Sequence, residues 1–536
     1  MEASSHTRQV CVFCDGTGAL LGAGAQTNVV KLMAACGPSP DQLIFYDPGV
    51  GTNSTLPTTT YWQSVQRLGR QISGLAFGDG VYENIAEAYL FLVDNYQGVS
   101  DQLFFFGFSR GAFTARAVAG MVAMFGVVRP QASNLVDYMI QFYFSRDSAA
   151  RQQLIADIRD NSQKFSARQL PVMHFVGVWD TVASVGIPPR RREFSQRPTI
   201  AGKRFTHVRH AVSADEYRGQ FELRRYELGC DFHQTLKQVL FSGVHSDVGG
   251  QYVEAGLSNL TLDWMATEAE ACGLRINHAT LATQKARCPA TALGHDQVYK
   301  TPLWALTGLR ERPVHDPTQT EFTERRLTAG TAPGEPHSIW QPLWKRRGAF
   351  WLPLVLTLAF YALCYFMLLF GVDWGREHQS QAVRQLLAMG AWLSTPEIRQ
   401  LAAEQLSLTH GLRLVLVGEL LLIGALTALS CTLIVHGRMA LLRSSVGALR
   451  RRVAQFSRWS VAALWLWISC DLLENMCLLM GTRDWWWSPT AADRADWLWL
   501  AACLGYPKFF GLAALAAMLM FALIARLTPR VSASGA

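Results

Sequence analysis

Short apolar runs bounded by glycine-rich turns fill the first part of the chain, and much longer ones fill its end. Residues 10–14, 43–46, 103–106, 173–179 and 239–244 are apolar at nearly every position, as in strands covered on both faces of a parallel sheet. Between them, residues 28–35, 80–96 and 112–125 have helical spacing. In 80–96, Ile85, Tyr89, Leu92 and Val93 share one face, while Glu83, Glu87 and Asp94 lie elsewhere. Strands alternating with helices predict an α/β fold, a mostly parallel sheet flanked by helices.

Beyond residue 345 the pattern changes. Residues 349–372, 412–435, 460–480 and 497–525 approach the roughly 20 apolar residues that cross a bilayer. They predict an α-helical transmembrane domain over 346–536, following a catalytic domain over 1–345. Trp459, Trp485, Trp486, Trp487 and Trp497 sit near span ends, as an interfacial belt would, and 379–405 reads as an amphipathic surface segment. Glu419, Asp471, Glu474 and Lys508 interrupt the spans, and Lys508 is expected to pair between helices with Asp471 or Glu474.

Charge adds an orientation. Lysine and arginine total 49 against 41 acidic residues, and much of this excess flanks the spans, unlike a nucleic-acid footprint. Lys345, Arg346 and Arg347 precede the first span. Arg438, Arg443, Arg450, Arg451, Arg452 and Arg458 fall between the second and third, and Arg526 and Arg530 follow the fourth. The positive-inside tendency puts these, and the catalytic domain, on the cytoplasmic side of a membrane, expected to be the bacterial inner membrane. Another basic group, Arg190, Arg191, Arg192, Arg197, Lys203 and Arg204, reads as a solvated connector or a patch for anionic headgroups. The 11 scattered cysteines argue against a disulfide framework and for a reducing compartment. Cys11 and Cys14 lie inside a strand-like run, so no metal site is expected there. The polar N-terminus has no apolar core of a cleavable signal.

The strand ends carry the chemistry. Run 103–106 enters Gly107-Phe108-Ser109-Arg110-Gly111, followed by a helix. This strand–turn–helix setting leaves the Ser109 hydroxyl above the sheet and aims the Arg110 backbone N–H into the same space. Small residues at Gly107 and Gly111 let strand and helix approach. A nucleophilic serine needs a base, and the base an orienting acid, in the chain order serine, acid, histidine. Run 173–179 ends at Asp180, and run 239–244 ends at His245, which precedes Ser246-Asp247-Val248-Gly249-Gly250. Ser109, Asp180 and His245 fit that order. Asp247 is a rival acid, although a neighbour two residues from the histidine is better placed to shape the loop or hold an ion. Asp15, in the turn Asp15-Gly16-Thr17-Gly18 after the first strand, is a further supporting candidate. His174 reads as structural, and His207 and His210 as surface or packing residues of a basic, helix-like stretch. Neither cofactor nor metal is needed.

Together these segments resemble the catalytic domain of type VI secretion phospholipase effectors, an α/β-hydrolase family. The similarity runs through Phe13-Cys14-Asp15-Gly16-Thr17-Gly18, Thr27-Asn28-Val29, Asp47-Pro48-Gly49-Val50-Gly51-Thr52 and Glu83-Asn84-Ile85. It continues with Gly107 to Arg116, Gly177-Val178-Trp179-Asp180-Thr181-Val182, Asp215-Glu216-Tyr217-Arg218 and Gly243 to Gly250. The resemblance implies a phospholipase or related lipid esterase, with Ser109 nucleophile, Asp180 acid and His245 base. It also implies membrane lipid as substrate, and a secretion spike protein and an immunity protein as partners. Ala19 stands where such proteins often carry asparagine, and the oxyanion donors besides Arg110 are expected from Gly16 or Thr17. Alternative functions are a membrane-perturbing toxin, or a tethered esterase or thioesterase acting on another substrate.

Overall fold

The computed structural model describes residues 7–16, 25–37, 39–49, 78–145, 152–153, 155–157, 171–182, 184–185, 192–193, 200, 202–227, 230–287, 294–309, 351–371, 410–442, 452–480 and 491–527. The chain divides into two compact units, Met1–Asp296 with Glu311–Ser338, and Gln297–Arg310 with Ile339–Ala536.

The first unit is built on a six-stranded, all-parallel sheet. Its strands are β1 (Gln9–Cys14), β2 (Gln42–Asp47), β3 (Gln102–Phe108), β4 (Met173–Trp179), β5 (Phe205–Ser213) and β6 (Thr235–Phe241), in the order β2-β1-β3-β4-β5-β6. Side chains alternate across β1: Val10, Val12 and Cys14 enter one core, Cys11 and Phe13 the other. The first core is closed by α2 (Gly78–Asn95), α3 (Arg110–Phe125) and α4 (Val136–Phe144), the second by α1 (Asn28–Cys36) and α6 (Gly256–Ala271). Burial on both faces explains why β1 and β3 read as continuous apolar runs. The order reverses between β1 and β3, and in such sheets the crevice beyond the carboxyl ends at this point is where ligands bind.

Two expectations are corrected. The basic stretch around His207 and His210 is a strand, β5, inserted between β4 and β6. Its charges are tolerated because each finds a partner: Arg209 Nε lies 2.6 Å from Glu268 Oε2, and its guanidinium also donates to Thr235 Oγ1 at 3.0 Å. The last strand ends at Phe241, not 244, and His245 opens a one-turn helix, α5 (His245–Gly249). Arg192 lies in a short antiparallel ribbon, Ser184–Val185 with Arg192–Glu193. Arg190, Arg191, Arg197, Thr17, Ala19, the segment 379–405 and Trp485, Trp486 and Trp487 lie outside the described residues.

The second unit contains helices Leu352–Gly371, His410–Leu442, Val453–Met480 and Ala491–Leu527. Among the described residues, Glu419–Met439 and Gln455–Leu478 are long and apolar enough to cross a membrane. Lys508 Nζ lies 2.5 Å from Asp471 Oδ1 and 2.8 Å from Glu474 Oε2, so both expected partners are engaged by one lysine. Gly511 lies close to the backbone of Ala463 and Trp467, where a side chain would meet Trp467 N at 2.9 Å.

Candidate active site

Parallel strands deliver Asp15, Ser109 and Asp180, and the loop carrying His245, to one edge of the sheet. Ser109 connects β3 to α3 with φ 60° and ψ −121°, a conformation that L side chains resist. Its backbone is held on two sides: Ser109 N–H donates to Trp179 O at 3.1 Å, and Val182 N–H donates to Ser109 O at 3.2 Å. Close packing around this turn explains its glycines. A Cβ on Gly107 would meet Gly111 O at 2.5 Å, and one on Gly111 would overlap the backbone of Cys14 and Asp15.

Asp180 follows β4 with a φ of +41° and is fully buried. Its Oδ1 accepts from Ser213 N–H at 2.9 Å, and its Oδ2 lies 2.5 Å from His245 Nδ1. The His245 ring is buried between Phe108 and Phe221, with centroids 4.6 and 4.8 Å away. Burial pulls its pKa below the usual histidine value, and the Asp180 hydrogen bond opposes this without reversing it. The ring is therefore neutral at pH 7, with the proton assigned to Nδ1 by the carboxylate beside it and Nε2 left as the basic nitrogen. Phe108 immediately precedes Ser109, so the ring contact ties the histidine to the elbow.

Asp247 is not part of this pair. Its Oδ2 accepts from Val244 N–H at 3.0 Å and from His295 N–H at 2.9 Å, while Oδ1 lies 2.7 Å from His295 Nδ1. It braces the loop that carries His245. Neither His295 nor this pairing was readable in advance, because 48 residues separate the partners.

Asp15 is buried at the end of β1, where Thr27 Oγ1 donates to Oδ2 at 2.6 Å and Tyr46 Oη at 3.0 Å. Burial pushes its pKa up to about 7. Its Oδ1 accepts from Gly16 N–H at 2.7 Å. The Gly16 amide is thus engaged by the side chain of the residue before it. Gly16 borders Ser109: a Cβ on it would lie 3.3 Å from Ser109 Cβ. Arg110 is the first residue of α3, so its backbone N–H lies at the N-terminal end of that helix.

His210 and His174 make structural contacts. His210 is buried, accepts from Thr181 N–H at 3.2 Å through Nε2, and faces Gln238 Oε1 at 3.2 Å through Nδ1. Burial lowers its pKa to about 3, so it stays neutral and fixes the residue after Asp180. His174 Nε2 lies 2.6 Å from Cys272 O. Among the described residues, no three histidine, cysteine or acidic side chains are grouped to hold a metal ion.

The family model for the catalytic domain of Tle1-like phospholipase effectors of type VI secretion matches residues 8–268. The chain is also similar to the uncharacterized protein YEL023C of Saccharomyces cerevisiae, 33% identical over 229 residues. That match covers 41% of this chain and 33% of the yeast protein, so the chain spans about a third of the length of that relative. No solved structure matches.

Proposed function

We infer from the membership of residues 8–268 in the Tle1-like type VI secretion phospholipase-effector catalytic-domain family that this chain is a phospholipase-type lipase. We propose Ser109, His245 and Asp180 as its machinery. The observation that carries this reading is the 2.5 Å contact between Asp180 Oδ2 and His245 Nδ1, on a ring packed against the residue before Ser109. In the proposed reaction, His245 Nε2 takes the Ser109 proton as Oγ attacks the ester carbonyl. Asp180 holds the tautomer and stabilises the imidazolium. The Arg110 N–H, at the positive end of α3, faces the developing oxyanion, and one such donor contributes about 2.7–4 kcal/mol. The histidine then protonates the leaving alcohol and activates water to release the fatty acid from the acyl-enzyme.

The apolar helices of the second unit support anchoring in a bilayer, which would keep the lipase at its substrate. Association with a secretion spike and an immunity protein is proposed on the family alone. The test is fatty-acid release from mixed phospholipid vesicles by detergent-purified full chain, native beside Ser109→Ala. Release that vanishes with the substitution supports the lipase. Equal release by both refutes Ser109 as nucleophile. Vesicle leakage without fatty-acid release, unchanged in Ser109→Ala, would favour the membrane-perturbing reading instead.

A further inference from the structure

The segment Asp215-Glu216-Tyr217-Arg218 follows β5 and has no part in the reaction as described above. Its side chains converge on the histidine. Asp215 Oδ2 accepts from Gly243 N–H at 2.7 Å, fixing the turn two residues before His245. Glu216 Oε2 accepts from His245 N–H at 3.3 Å. The Glu216 carboxylate is itself held by Arg218, whose guanidinium donates from Nε to Oε1 at 2.8 Å and from Nη2 to Oε2 at 2.7 Å. Arg218 N–H adds a third bond to Oε1 at 2.9 Å. The same guanidinium lies 3.7 Å over the Phe221 ring, and that ring meets the His245 ring edge-on at 4.8 Å.

We propose that Glu216 and Arg218 form a positioning clamp for His245, gripping it through the backbone N–H on one side and through the Phe221 ring on the other. The proposal rests on His245 being the base, and it adds residues that touch neither substrate nor Ser109. The geometry favours a clamp over a plain structural ion pair because both ends of the pair reach the histidine by different routes. A bidentate arginine–carboxylate pair is rigid, and stacking a guanidinium on an aromatic face fixes the ring's plane. The charged groups facing the imidazole are Asp180 from the end of β4 and Glu216 and Arg218 from the segment after β5. Asp180 and Glu216 raise its proton affinity, whereas Arg218 lowers it.

These opposed influences make the clamp testable. Full-length protein in detergent, labelled at histidine 13Cε1, is titrated by NMR, with His245 assigned by its absence in His245→Gln. Fatty-acid release is measured alongside as a function of pH. Glu216→Gln should move the His245 titration to lower pH, and Arg218→Met should move it to higher pH. Each should reduce kcat about 10²-fold at unchanged KM, the scale expected when a reacting group is misplaced by about 1 Å. The double variant Glu216→Gln/Arg218→Met removes both charges together, and should fold while leaving kcat low. Arg218→Lys, which keeps the charge but loses the planar fork, should leave the titration near native while kcat falls. His245 titrating as in native protein in both single variants would overturn the clamp. So would a double variant with native kcat. If native protein releases no fatty acid, the lipase reading fails separately, while the NMR arm still decides whether the pair controls His245.

Discussion

Releasing the strain at Ser109 should stabilise the protein while abolishing its activity. The residue holds φ 60° and ψ −121°, and side-chain-bearing residues in such regions cost about 1–3 kcal/mol each. Ser109→Gly relieves this strain, and Ser109→Ala keeps it. Both lose the hydroxyl, so the comparison isolates the backbone. Glycine's extra freedom in the unfolded chain takes back about 0.5–1 kcal/mol. The net expectation is Ser109→Gly more stable than Ser109→Ala by up to roughly 2.5 kcal/mol. For a unit of this size about 1 kcal/mol shifts the midpoint by roughly 2–4 °C. Near-UV circular dichroism of the full chain in detergent, heated at one fixed rate, should place the glycine variant's first transition several degrees above that of the alanine variant. A glycine variant that melts with or below the alanine one would refute the claim that the elbow is strained.

Other expectations follow from the same geometry. Gly111→Ala forces a methyl into the backbone at the end of β1, and should lower kcat for ester hydrolysis by about 10²-fold or more through displacement of the elbow. Because burial pulls the His245 pKa below the usual histidine value, the acid limb of kcat/KM should have its midpoint below that of an ordinary histidine, and a midpoint above about 6.5 would contradict the burial argument. Asp15 has a folded pKa raised from 3.8 to about 7, so its contribution to stability is fully present below about 3.8 and is lost as pH rises through about 7. Asp15→Asn should therefore be relatively most stabilising above pH 7, by up to about 4 kcal/mol, when its melting midpoint is followed against pH beside native protein. Asp247→Ala strands the Val244 and His295 amides and should destabilise by about 1–3 kcal/mol in thermal melts, with a smaller loss of kcat than Asp180→Asn.

The strands most deeply covered were the ones readable from sequence. β1, β3 and β4 are apolar on both faces, so position after position announces burial. β5 hid itself because His207 and Arg209 belong to a basic stretch that reads as a helix. Their partners, Thr235 and Glu268, lie 26 to 59 residues further on, and no local pattern contains them. The elbow was legible because its glycines and serine stand directly between an apolar strand run and a helix; Gly107 answers to the nearby Gly111 and Ala112, whereas Gly111 answers to the end of β1. The engagement of Gly16 N–H by Asp15 was not, because it depends on which way one carboxylate turns. Likewise the role of Asp247 required His295, and the link between Glu216 and His245 crosses 29 residues.

The first strand is also the one that must wait longest. β1 lies inside the sheet between β2 and β3, and Gln9 at its start donates through Nε2 to Gly273 O at 2.6 Å, across 264 residues. Thr27, just before α1, bridges Gly250 in the loop beyond His245. A chain leaving the ribosome thus carries the Ser109 elbow well before His245 and the closing contacts arrive. Pairings so distant in sequence form late, because loop closure must be met before they are rewarded. Truncated translation products ending before about residue 275 should therefore be hydrolytically silent. On the proposed reading, hydrolysis is expected only once the turn at Gly273 has docked against the first strand, which would set a delay between synthesis and chemistry.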